Sequence, residues 1–166
     1  MKILGIIILI TSGLMAGYFF GEKYTEKIAF WDQYINLITL IKNQILCSAT
    51  HLKSILENSN VNYPIKNYVD LCLKLSENRT FSEAWHEAFE TYQINFELSK
   101  EEQNFIASFG ENLGTSDCKT QSCACTEHSE IAKLYLKKAI NEKNTKGKLP
   151  IMLGASAGAA VAILLI

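Results

Sequence analysis

The chain has no surplus of charge of either sign: 16 lysines and arginines stand against 17 aspartates and glutamates over 166 residues, a formal net charge of −1. Without an excess of positive charge it lacks the electrostatic footprint of a nucleic-acid-binding protein. Proline is scarce, at two residues, and neither proline nor glycine occurs between Lys23 and Asn58. Nothing in that stretch therefore breaks a helix. The five cysteines (Cys47, Cys72, Cys118, Cys123 and Cys125) are odd in number and show no disulfide framework. In a reducing compartment they are free thiols. No glycine-rich phosphate loop, G-x-S-x-G elbow or H-E-x-x-H pair is present. His51 and His86 have no nucleophile or acid pattern beside them and read as surface histidines. Glu87, Glu90, Glu97, Glu101, Glu102 and Glu111 are scattered as expected of solvated helix faces. No internal repeat and no low-complexity segment appears, and the length suits one domain.

What the chain does have is two apolar extremes. Ile3 to Gly21 and Leu149 to Ile166 contain no charged side chain. Each run is about 18 or 19 residues, roughly 27–29 Å as helix, near the lower limit for a hydrocarbon core of about 30 Å. Both are expected to be transmembrane helices, at 3–21 and 149–166, with one domain at 22–148 between them. A cleaved leader is the competing reading of the first run. However, Met15, Ala16 and Gly17 lead into Tyr18, Phe19 and Phe20, an interfacial aromatic cluster rather than a small-x-small cleavage site. Lys23 and Lys27 follow the first run, and Lys137, Lys138, Lys143, Lys146 and Lys148 precede the second. Basic residues near membrane ends stay in the cytoplasm, so 22–148 is expected there. The same lysines can meet anionic lipid. Gly13, Gly17 and Gly21 recur every four residues, as do Gly154, Gly158 and Ala162. Such small-residue stripes let helices approach closely in lipid. They predict packing of the spans on each other, on partner helices or between copies.

The intervening domain reads as all-α. Ile28, Trp31, Ile35, Ile38, Ile41, Ile45, Leu52 and Ile55 form an apolar face at helical spacing. They predict one rod from the first span to Asn58, with a bend at Gly21. Asn58 to Pro64 is a turn, with Pro64 suited to the first turn of a helix. Tyr68, Leu71, Cys72 and Leu75 form the next stripe. Thr80 with Glu83, and Ser99 with Glu102, are capping-box signatures. They open helices carrying Phe81, Trp85, Ala88, Phe89 and Tyr92, and Phe105, Ile106, Phe109 and Leu113. Because the last stripe runs past Gly110, that glycine is expected inside the helix as a close-packing site. Gly114 suits the left-handed C-cap. Thr115 or Ser116 is expected to cap a final long helix to about Thr145, with Asp117 at its positive end. The sum is an antiparallel bundle of about five helices.

Cys118, Cys123, Cys125 and His128 are the one metal-like cluster. Their C-x4-C-x-C-x2-H spacing is not that of a structural zinc site. Residues 123 and 125 project about 200° apart on a helix. Cys118, Cys125, Ala132 and Ala139 instead recur every seven residues, as a small-residue seam does. A metal or redox sensor built on Cys118 to His128 is the alternative function; otherwise no cofactor is indicated.

Lys23 to Lys27 reads K-Y-T-E-K, Phe81 to Trp85 reads F-S-E-A-W, and Phe109 to Asp117 reads F-G-E-N-L-G-T-S-D, followed by a lysine-rich helix and an apolar run. In this order and over nearly the whole chain, these segments resemble the stage III sporulation protein AB family. The sequence departs from that pattern after Asp117, where a usually charged segment reads C-K-T-Q-S-C-A-C. The resemblance implies a bundle similar to type II secretion F platform domains, flanked by transmembrane helices. It implies a noncatalytic place in a channel-like complex between mother cell and forespore, in the mother-cell membrane with the domain in the mother-cell cytoplasm. The implied partners are the other membrane proteins of that complex and a cytoplasmic secretion-type ATPase. Gly110, Glu111, Asn112, Gly114, Ser116 and Asp117 fall in the most specific motif. They are candidates for partner contact, or for a turn needed by the fold alone.

Overall fold

The computed structural model describes residues 2–47, 52–92, 97–113 and 117–147, together with Met152 and Ser156. These residues form six helices and no strand: α1 (Lys2–Cys47), α2 (Leu52–Glu57), α3 (Ile65–Leu75), α4 (Phe81–Thr91), α5 (Lys100–Asn112) and α6 (Cys118–Lys146).

The frame is the pair α1 and α6. Lys27 lies against Glu142, Trp31 against Tyr135, and Tyr34 against His128. Numbers on α6 fall as those on α1 rise, so the helices are antiparallel. α1 supplies the large side chains: Phe30, Trp31, Tyr34, Leu37, Ile38, Ile41 and Ile45 are all buried. These positions step by three and four along one face. α6 answers with small ones, because Ser122, Cys125, Ser129, Ala132 and Ala139 form its buried seam. Large knobs over a small seam let the two backbones approach closely while the core stays filled. Each fully buried large apolar side chain contributes on the order of 1.5–3 kcal/mol. The seam expected at Cys125, Ala132 and Ala139 is present, whereas Cys118 is exposed at the start of α6.

Of the rod expected to reach Asn58, α1 is unbroken through Gly21 and runs to Cys47, and α2 covers Leu52–Glu57; residues 48–51 lie outside the described residues. In α2 Ile55, a member of the expected stripe, and its neighbour Leu56 are both buried. Pro64 is the N-cap of α3, one position before its first helical residue.

α3, α4 and α5 are tied by side chain-to-backbone hydrogen bonds. The Tyr68 hydroxyl donates to the Trp85 carbonyl at 3.0 Å, and Trp85 Nε1 donates to the Ile106 carbonyl at 2.9 Å. Each aromatic therefore buries its ring and satisfies its polar atom on the next helix. Trp85 is fully buried, with Phe81 and Phe89 packed against the core. Both capping boxes form as expected.

Among the described residues, no helix is long and apolar enough to cross a membrane. The run 3–21 is the first part of α1. The run 149–166 lies outside the described residues except for Met152 and Ser156, which are helical and exposed.

Gly110 lies inside α5, and a Cβ there would come within 2.3 Å of the Trp85 ring. Gly110→Ala should destabilise the domain by about 1–3 kcal/mol through overpacking, measured by denaturant melts. The exposed neighbour variant Glu111→Ala should stay within about 0.5 kcal/mol. Equal stability of the two variants would contradict this packing.

Candidate functional site

The most unusual chemistry sits where α5 begins. Lys27 is on the same α1 face as Phe30, Trp31 and Tyr34, and its ammonium is carried into the bundle. There it meets Glu102, the third residue of α5, at 2.9 Å from both carboxylate oxygens. Glu102 is 0% exposed and Lys27 7%. Glu102 Oε2 also accepts the Ser99 backbone N–H at 2.7 Å, and the Ser99 hydroxyl accepts the Glu102 N–H at 3.2 Å. One carboxylate thus closes a capping box and anchors α5 to α1. Glu142 of α6 approaches the same ammonium at 3.7 Å, so Lys27 ties three helices.

This corrects the expectation that Glu102 belongs to a solvated face. A glutamate at the third position of a capping box turns back toward the helix start, and here that start is covered by α1 and α6. The sequence signal was the combination of this glutamate with Lys27, a lysine three residues before the buried Phe30. Beside the pair opens a cleft of about 430 Å³, lined by residues that include Lys23, Tyr24, Ser99, Lys138, Glu142 and Lys146.

A second polar group lies in the core. His128 stacks on Phe105 at 3.8 Å with an interplanar angle of 4°, and lies 4.5 Å from the Phe109 ring. Its Nε2 is 3.0 Å from the Tyr34 hydroxyl, the donor being set by the tautomer. Burial lowers its pKa to about 4, and burial raises that of Tyr34 well above the usual phenol value. Both are neutral near pH 7. His128 is therefore a packing residue joining α1, α5 and α6, a role that its neighbours in sequence did not reveal.

The cysteines do not converge on an ion. Cys125 is buried and Cys123 exposed, as their separation around the helix requires. Among the described residues no group of histidine, cysteine and acidic side chains is placed to hold a metal. Burial pushes the Cys72 thiol up to about 12 and the Cys125 thiol up to about 11. Both are thus poor sources of the reactive thiolate. His86 is exposed, while His51 lies outside the described residues.

The 110–117 turn is divided by its surroundings. Gly110 is buried, Glu111 is exposed, and the side chain of Asn112 is outside those described. Leu113 is the C-cap of α5, with an extended backbone. Gly114, Thr115 and Ser116 lie outside the described residues. Asp117 is itself the N-cap of α6, in place of the expected Thr115 or Ser116. Its carboxylate accepts the Lys119 and Thr120 backbone N–H groups and the Thr120 hydroxyl, at 3.1, 3.2 and 2.6 Å. Aspartate satisfies the first free N–H groups of a helix and adds charge at the positive end of the dipole. The Thr120 hydrogen bonds hold its pKa below the usual carboxylate value. Glu111 shares a shallow depression with Arg79 and the α4 residues Glu83, His86, Glu87 and Glu90, of which Glu87 is ion-paired with Arg79. Gly13, Gly17 and Gly21 fall within α1, where a spacing of four places them on one face. Gly154 and Gly158 lie outside the described residues.

Two outcomes test this site. Lys27→Met strands a buried carboxylate and should cost about 3–5 kcal/mol, and a double-mutant cycle with Glu102→Gln should return a clear coupling energy. Additive losses would mean that the pair does not form. His128 binds its proton more weakly in the folded than in the unfolded chain, where its pKa is about 6.5. Its contribution is complete above the unfolded value and is lost as pH falls from about 6.5 toward about 4, at no more than about 1.4 kcal/mol per pH unit. His128→Gln should flatten stability across that window relative to the parent chain. An NMR titration of His128 with a midpoint above 6 would contradict its burial.

The family model of stage III sporulation protein AB matches residues 2–166, essentially the whole chain. No curated protein and no solved structure matches it.

Proposed function

Because the chain belongs to the stage III sporulation protein AB family, we propose that it is a noncatalytic membrane platform in the secretion-like complex between mother cell and forespore that endospore development requires. The family match over the whole chain is the observation that carries this reading. It ties the chain to spore development; the platform role is the narrower step.

The helical frame supports that step. α1 and α6 are antiparallel, so residues 22–27 and 142–147 lie at one end of the bundle. The apolar runs 3–21 and 149–166 leave from that same end. We read both as transmembrane helices in the mother-cell membrane, with their glycine stripes packing in lipid. By the lysine bias the bundle faces the mother-cell cytoplasm. The partners of the proposal are the other membrane proteins of the complex and a cytoplasmic secretion-type ATPase. The surface around Glu111 is the proposed partner contact. Its acidic neighbours on α4 favour a basic partner segment, through charge complementarity that acts mainly on specificity and association rate.

Deletion should arrest spore development after engulfment, and the product should stay with membranes through alkaline carbonate extraction. Normal sporulation would overturn the role, and release by carbonate would overturn the spans. Glu111→Lys should reduce recovery of the complex's ATPase and membrane proteins in pull-downs from sporulating cells by about tenfold, the equivalent of one close charge pair. Full recovery would remove that surface from the interface.

A further inference from the structure

We propose that the cleft beside Lys27 binds a phosphate group presented by an anionic phospholipid headgroup, with Lys138 and Lys146 as its principal cationic contacts. The headgroup source rests on the membrane reading above.

Charge accounting inside the cleft carries the argument. It is lined by four lysines and three glutamates. Glu102 is committed to Lys27 and to the Ser99 N–H, and Glu142 also leans on Lys27. Glu97 pairs with Lys23 at 3.5 Å. Each carboxylate thus has a lysine within ion-pair distance. Lys138 and Lys146 have no such partner among the described residues. They stand four residues to either side of Glu142 on one face of α6, directed at the same cleft. Two lysines thus meet three carboxylates on the floor of the cleft, and the ammonium groups of Lys138 and Lys146 turn the lining as a whole net positive, with both of its unpaired charges cationic, which is an arrangement for an anion.

Size and position narrow the class. A volume of about 430 Å³ falls in the usual range for small-molecule sites, about 300–1,000 Å³, and exceeds what a bare halide needs. Flexible lysine stems can converge on a tetrahedral phosphate as point charges. Leu98 adds an apolar wall. Lys23 comes two residues after the apolar run 3–21, and Lys146 three residues before the run 149–166. The cleft thus opens at the depth where lipid phosphates lie.

The test uses the full chain in nanodiscs of phosphatidylcholine with increasing phosphatidylglycerol, with bound lipid counted by native mass spectrometry. Inorganic phosphate is titrated in a parallel arm. Lys138→Gln with Lys146→Gln should weaken phosphatidylglycerol binding by about thirtyfold, at roughly 1 kcal/mol per lysine. The control pair Lys137→Gln and Lys143→Gln removes the same charge at the same end but outside the cleft; a headgroup held in the cleft makes no contact with it, so binding should change less than about threefold, or roughly 0.7 kcal/mol. Equal loss in both pairs would overturn the site in favour of diffuse surface attraction. Binding of inorganic phosphate that depends on Lys138 and Lys146, with no preference for phosphatidylglycerol, would overturn the headgroup assignment. Failure of the chain to enter nanodiscs would count against the membrane reading alone, since the phosphate arm still reports on the cleft.

Discussion

Every other contact in this molecule depends on the pairing of large α1 side chains with the small seam of α6. Trp31 and Tyr34 are fully buried, packed on Tyr135 and His128 of α6, while the serine, cysteine and alanine seam of α6 leaves room for the large α1 side chains. A leucine in place of Ala132 would push the helices apart, at the usual cost of overpacking. Once the pair is set, α5 docks along it through Phe105 and Phe109. α4 and α3 then follow through the Trp85 and Tyr68 hydrogen bonds.

The two buried polar groups fix the orientation of α5 on that pair. Apolar packing alone tolerates sliding and rotation, whereas the buried Lys27–Glu102 ion pair requires its two side chains to meet. Such a pair adds little net stability over a well-packed apolar substitute but penalises every misaligned arrangement strongly. His128, held between Phe105, Phe109 and Tyr34, marks a second register point further along the bundle from the Lys27–Glu102 pair. The membrane-proximal end proposed for the bundle is therefore also the end where its geometry is set by charge.

The elements with strong periodicity or capping chemistry were readable from sequence: both capping boxes, the α6 seam, Gly110 as a packing site and the separation of Cys123 from Cys125. These depend on residues close together in the chain. What was not readable depends on which helices become neighbours. Glu102 resembles any surface glutamate until Lys27, 75 residues away, is placed beside it. His128 resembles a surface or ligand histidine until α5 covers it with two rings. Asp117 was assigned to the right helix end one role too late, since serine, threonine and aspartate are close competitors for an N-cap.

For a member of a sporulation family, the consequence of this frame is geometric. An antiparallel α1 and α6 bring Glu22 and Gly147 to one end of the bundle and leave Glu111 exposed on α5. Distances between spin labels on the full chain test that frame directly. Labels at Glu22 and Thr145, both exposed, should lie close together, whereas Asn43 and Thr145 should be separated by on the order of 30 Å, about 21 residues at 1.5 Å each. A short Asn43–Thr145 distance with a long Glu22–Thr145 distance would contradict the antiparallel pair and the account built on it.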